Sequence, residues 1–199
     1  YNMLNNFTIK QVLISVGLVI VLAVGITITI SYTNSNDVRD SVYEKEYEIM
    51  PHLFNFLKLQ KDVIQVQQWL TDISATRAKE GFDDGFTEAK VYFEEGNKVL
   101  NELIKAHKEY QEPQMVKSLE DFKVNFSKFY QIGIKMANIY IKDGADAGNI
   151  VMLELDPFAA KLTKDLDIWI NEHKKDSDLA TKAIEEKLQN LNRNTLIDG

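Results

Sequence analysis

The stretch "DVIQVQQWLTDISATR", residues 62–77, places glutamines, hydroxyls and an arginine at helical spacing among Val, Trp, Leu and Ile. Gln67, Ser74 and Arg77 fall on one heptad seam, the repeat that lines one helix face, and Thr71 stands among them in the same polar stretch. Such side chains do recognition chemistry. A guanidinium pairs with an anionic group through two parallel hydrogen bonds, while amides and hydroxyls orient the bound molecule. A polar group buried without partners costs stability, so a core face of this composition usually has a specific task. Trp69 would supply a wall. Asp156, in "DPF" at 156–158, sits before a proline that either kinks a helix and turns Asp156 inward or opens a helix with Asp156 as N-cap. Gln67, Trp69, Thr71, Ser74, Arg77 and Asp156 are therefore the candidate ligand-binding residues. The competing reading of the same face is a buried polar seam between two copies of the chain, which sets partner and register and binds nothing.

Other chemistries lack their residues. With no cysteine there is no disulfide, thiolate zinc site or cysteine nucleophile. No P-loop, G-x-S-x-G elbow, dinucleotide fingerprint or Glu-x-x-His pair occurs. His52, His107 and His173 are the only histidines and fall on three different helical stretches, without the i, i+4 pair that zinc would want. No catalytic residue, metal ligand or cofactor is expected, and the chain does not read as an enzyme. A noncovalent haem between His52 and His173, which fall at nearly the same level, is the alternative left open. The net charge of −7 argues against nucleic acid as a partner, because no basic patch would neutralise phosphates.

The elements that must hold these residues are helical. Only 9 Gly and 3 Pro occur in 199 residues, too few breakers for a strand-and-turn protein. Residues 12–30, "VLISVGLVIVLAVGITITI", carry no charge and span roughly 28 Å as a helix, about the thickness of a bilayer core. Lys10 precedes the run and Tyr32 follows it, with Asp37 the first charge beyond, which agrees with an N-inside orientation. The rival is a cleaved signal peptide, but its apolar run is normally shorter. Turn formers then occur at "GFDDG" (81–85), "QEP" (111–113) and "DGADAG" (143–148). They delimit four helical stretches near 37–80, 84–111, 114–143 and 148–192.

The expectation is an all-α, up-down-up-down antiparallel four-helix bundle with long first and last helices, preceded by one transmembrane helix. At 1.5 Å per residue the outer helices would be roughly 65 Å long and the inner two roughly 42–45 Å. The outer pair would then run on as a two-helix stalk, with Pro51 interrupting the first helix level with the link between the inner two. The implied domains are a short cytoplasmic N-terminus at 1–11, a transmembrane helix at 12–31, a periplasmic ligand-binding bundle at 33–192, and a lead-in at 193–199 to a second transmembrane helix beyond the sequence. A heptad seam is expected through Ile49, Leu53, Phe56, Gln60, Val63, Gln67, Leu70, Ser74 and Arg77, with Trp69 level with Gly96, Gly133 and Ala159.

"VIQVQQWLTDISATR", "DDGFTEAKVYFEEG" and "DPFAAKLTKDLDIWI" together resemble the ectodomain of bacterial methyl-accepting chemotaxis proteins with four-helix-bundle sensor domains. The resemblance runs over most of residues 8–192 and is strongest at 62–77. It implies a receptor in the bacterial inner membrane, a homodimer, and a small-molecule ligand bound near the membrane-distal end, around Thr71, Ser74 and Arg77. It also implies a signal carried by movement of the last helix to a cytoplasmic signalling domain. The local sequence differs from the better-known members, so ligand identity does not transfer. The same architecture fronts histidine kinases and diguanylate cyclases, and a membrane-anchored dimerisation or scaffold module without a ligand is the remaining alternative.

Overall fold

The computed structural model describes residues 8–197. Residues 1–7 and 198–199, which hold part of the expected N-terminal tail at 1–11 and of the lead-in at 193–199, lie outside the described residues. The order is α1 (Ile9–Glu44), a π-helical turn (Lys45–Ile49), α2 (Met50–Thr76), α3 (Gly85–Glu109), α4 (Pro113–Asp143) and α5 (Ala145–Ile197). The protein is all-α, with long first and last helices.

Ile49–Lys175 forms one compact unit, an antiparallel four-helix bundle of α2, α3, α4 and the first part of α5. The links follow from turn chemistry. Arg77 ends α2 in the left-handed region (φ 53°), and its backbone N–H donates to the Ile73 carbonyl. Pro113 opens α4, where a missing N–H costs nothing. Gly144 separates α4 from α5 at φ 86°, a conformation that favours glycine. The core is dominated by Phe56, Phe122, Phe126 and Phe129, with Leu59, Leu70, Leu100, Leu103, Leu119 and Leu162, all fully buried. Phe56 and Phe122 each lie 5.4 Å from Trp169 by ring centroid, tying α2 and α4 to α5.

Two expectations about α2 need correction. Its buried arc runs through Phe56, Leu59, Asp62, Val63, Val66, Leu70, Ile73 and Ser74. Gln67 is exposed and Gln60 only half-buried, so the seam takes Leu59 and Val66 where the heptad reading had Gln60 and Gln67. Ser74 is buried as that reading had it, and Arg77 is exposed past the end of α2. The cause is that a bundle helix buries an arc wider than a strict a/d stripe, and apolar residues adjacent to each glutamine occupy it. Second, the small residues expected around Trp69 oppose other groups. A Cβ on Gly133 would meet Leu70 Cδ1, and one on Gly96 would meet the Phe126 ring. Large side chains fill both gaps, in keeping with close packing.

Trp69 instead presents its backbone to the start of α3. A Cβ at Gly85 would stand 2.7 Å from the Trp69 carbonyl oxygen and 3.0 Å from Ile73 Cβ. Backbone cannot step aside as a side-chain tip can, so Gly85→Ala is expected to destabilise the bundle by about 1–3 kcal/mol, read as a lowered urea midpoint.

The other two prolines are handled differently. Pro51 enters in the first turn of α2, directly after the π turn. That turn absorbs the absent N–H and the ring clash that a proline brings to an α-helix. Pro157 lies inside α5 because that helix already begins at Ala145, so Asp156 is not an N-cap, and it is exposed rather than turned inward.

The second unit comprises α1, the start of the π turn and α5 from Asp176 onward. Within it the two helices are antiparallel: Lys45 Nζ donates to Thr181 Oγ1 at 2.5 Å, and Lys187 Nζ to Ser41 Oγ at 2.6 Å. Thr8 and Gln11 form a capping box at the head of α1. α1 includes one segment long and apolar enough to cross a membrane, and none of that segment is buried. Its hydroxyls turn back on the helix: Ser15, Thr27 and Thr29 donate to the carbonyls of Gln11, Ala23 and Gly25 at 2.8, 3.1 and 2.8 Å. A helix that satisfies its own polar groups is one a lipid core tolerates.

Candidate functional site

The six candidate residues are distributed over the bundle rather than gathered. Gln67 lines an open groove of about 520 Å³ between α2 and α5, with Ala159, Ala160, Thr163, Lys164, Asp167, Ile168 and Asn171. None of the other five candidates lines it. Ser74 is buried, and its hydroxyl donates to the Leu70 carbonyl at 2.6 Å. Thr71 and Asp156 are exposed. Arg77, one residue past the end of α2, reaches α4 and donates from Nη2 to the Ile141 carbonyl at 3.0 Å. Trp69 is half-buried against the core, with its indole Nε1 enclosed and without a hydrogen-bond partner among the described residues. The groove offers an ammonium, a carboxylate, two amides and a hydroxyl to a small polar molecule. It bridges the first and last helices of the bundle, and Gln60 Nε2 donates to Asp167 across the same pair at 3.1 Å.

A residue that the heptad reading passed over is the most perturbed in the bundle. Asp62 is wholly buried, and neither carboxyl oxygen has a hydrogen-bond partner among the described residues. Burial pushes its pKa up to about 6; Lys61, with Nζ 3.8 Å from Oδ1, pulls the other way, Glu95 adds to the rise and Lys58 opposes it. Lys61 is itself exposed and lies over the Tyr92 ring, 5.1 Å from its centroid. A signal was available: Asp62 stands three after Leu59 and four before Val66, on the arc those apolar residues define.

At the end of the bundle where α3 links to α4, three histidines converge from three helices. Ring centroids are 5.1 Å apart for His52 (α2) and His107 (α3), 6.1 Å for His52 and His173 (α5), and 6.3 Å for His107 and His173. Phe56 packs 4.8 Å from His173, and Tyr110 lies 5.6 Å from His52. His107 Nδ1 is 2.5 Å from Glu112 Oε2, and His173 Nδ1 is 2.9 Å from the Trp169 carbonyl oxygen, so both nitrogens are placed to donate. Sequence spacing had put His52 and His173 level with each other, but not His107 beside them. His107 thus stands as close to His52 and His173 as those two stand to each other, within about 1 Å. Among the described residues no group of three or more His, Cys, Asp or Glu side chains is arranged to hold a metal ion. Nearby, a depression of about 470 Å³ is lined by His107, Glu112, Val116 and Lys117 among others.

Comparison with protein-family models, with curated proteins and with solved structures finds no match to this chain.

Proposed function

We propose that this chain is the anchored sensor region of a transmembrane chemoreceptor of the methyl-accepting type, a binding protein rather than an enzyme. One observation carries the reading: a fully exposed apolar helical segment, its hydroxyls bonded to its own backbone, in the same chain as a four-helix bundle. In water such a segment would be a large unpartnered hydrophobic surface, whereas in a bilayer it is solvated. Lys10 and Tyr32 flank it as interfacial residues do, so the bundle lies on the extracytoplasmic face of the bacterial inner membrane.

The ligand is a small polar molecule with an anionic group, taken in the groove between α2 and α5. Lys164 supplies the charge, and Gln67, Thr163 and Asn171 supply hydrogen bonds. A molecule bridging these two helices biases their relative position, and α5 passes that bias on as one helix from Ala145 to Ile197. The chain works as a homodimer: α2 leaves Phe54, Leu57 and Ile64 exposed along one flank, apolar surface that a second copy would cover.

The test uses the full chain in bacterial membranes and then in nanodiscs. It should resist alkaline carbonate extraction, and a panel of amino acids and organic acids should contain a compound that raises Tm. Gln67→Ala combined with Lys164→Ala should abolish that shift and leave the oligomeric mass unchanged. Release by carbonate sinks the membrane reading. A double variant that becomes monomeric, in a chain that no panel member stabilises, makes the groove a dimer seam instead.

A further inference from the structure

We propose that His52, His107 and His173 form a proton-operated latch that holds α2, α3 and α5 together at the α3–α4 end of the bundle while neutral and releases that end when charged. The latch goes beyond ligand sensing and rests on the bundle geometry alone.

The three rings come from three helices and stand 5.1 to 6.3 Å apart by centroid. Packed with Phe56 and Trp169, they continue the aromatic core outward to the bundle end. Neutral imidazoles do this well, being flat and largely apolar in the body. Hydrogen bonds orient two of them, through Glu112 for His107 and through the Trp169 carbonyl for His173. The opposite nitrogen of His107, Nε2, is buried without a hydrogen-bond partner among the described residues, as is Nδ1 of His52, and His107 is only 4% exposed. These nitrogens are where added protons would go.

The groups facing His52 are His107 on α3, Tyr110 at the C-cap of α3, Glu112 at the N-cap of α4, and His173 on α5. Glu112 is the one carboxylate among them. It can offset one positive charge in the cluster but not two or three. Further charges at these separations repel through a partly dry medium. Consistent with this, burial first, then His107 and His173, hold His52 below its ordinary value of 6.5, and Glu112 only partly opposes them. A group with a depressed folded value contributes stability above its unfolded value, and that contribution is lost as pH falls through the folded one. The latch therefore opens on acidification below about pH 6.5, the range in which histidine acts as a switch.

The experiment measures Tm of the full chain in nanodiscs at pH 7.5 and 5.0, with EDTA present. Taking His52→Gln and His173→Gln against the native chain at each pH cancels the contribution of groups outside the cluster. Each variant should reduce the native drop in Tm by half or more, and Glu112→Gln should start the drop at higher pH. Hydrogen exchange of the native chain needs no variant. After correction for the intrinsic rate, amides at 104–118 should lose at least tenfold protection between pH 7.5 and 5.0 while those at 126–140 keep theirs. Equal drops in native and variant chains, or uniform loss of protection, overturns the latch.

Discussion

Phe126→Ala is expected to lower the unfolding free energy of the bundle by about 3–5 kcal/mol, among the largest costs of any single substitution here. The ring is fully buried on α4, lies 5.1 Å from Phe93 by centroid, and fills the space left by the missing side chain of Gly96 on α3. A Cβ added at Gly96 would come within 2.8 Å of Phe126 Cε1 and 3.3 Å of Cζ, the edge of a rigid ring rather than the end of a flexible chain. Gly96→Ala should therefore cost about 1–3 kcal/mol despite the better helix propensity of alanine. The two sites share one space, so their effects will not add. With the ring gone the extra methyl fits, and the double variant should be more stable than the sum of the single losses by at least about 1 kcal/mol. Equilibrium urea unfolding of the four chains measures this. Strict additivity would mean that the helices at this level are not in the contact described.

Asp62→Asn is expected to act in the opposite direction, stabilising the protein at pH 7 by about 1–3 kcal/mol. The native carboxyl holds its proton to about pH 6 against an unperturbed 3.8, so between those values the folded state binds more protons than the unfolded one. Stability from this group is present below the unfolded value and lost as pH rises through the folded one. The asparagine cannot ionise, and its advantage over the native chain should be largest at pH 7 and shrink toward pH 5. Urea midpoints of both chains at the two pH values check it. An advantage independent of pH would mean that the carboxylate is not the source of the cost. A loss of stability at pH 7 would mean that the ionised form has a partner, and Asp62 would then become a ligand-site residue in its own right. The His52 latch runs against this trend, since its contribution falls on acidification while that of Asp62 rises.

Much of this was legible along the chain. Helix starts and stops set by local breakers, at "GFDDG", Pro113 and Gly144, fell within a few residues of their observed places. The expected start near 37 did not, because α1 runs unbroken from Ile9 to Glu44 and the interruption is the π turn at Lys45–Ile49. The apolar run at 12–30 needs no tertiary information either, because its length and lack of charge are properties of the segment itself. The facing of α2 was not local. Leu59 or Gln60, and Val66 or Gln67, are equally good continuations of the repeat after Phe56 and Val63. Only the arc presented to α3 and α4 decides that the apolar member of each pair turns inward. That same rotation carries Asp62 into the core and Gln67 out to the groove. The meeting of His52, His107 and His173 likewise depends on which helix neighbours which and at what height. Sequence by itself determined that the chain is helical, where the two inner helices start and stop and where it is greasy enough for lipid, because those follow from backbone preference and transfer from water. Tertiary structure alone decided which polar groups meet across helices and which line a groove, because a side chain's neighbours are set by the helices packed around it.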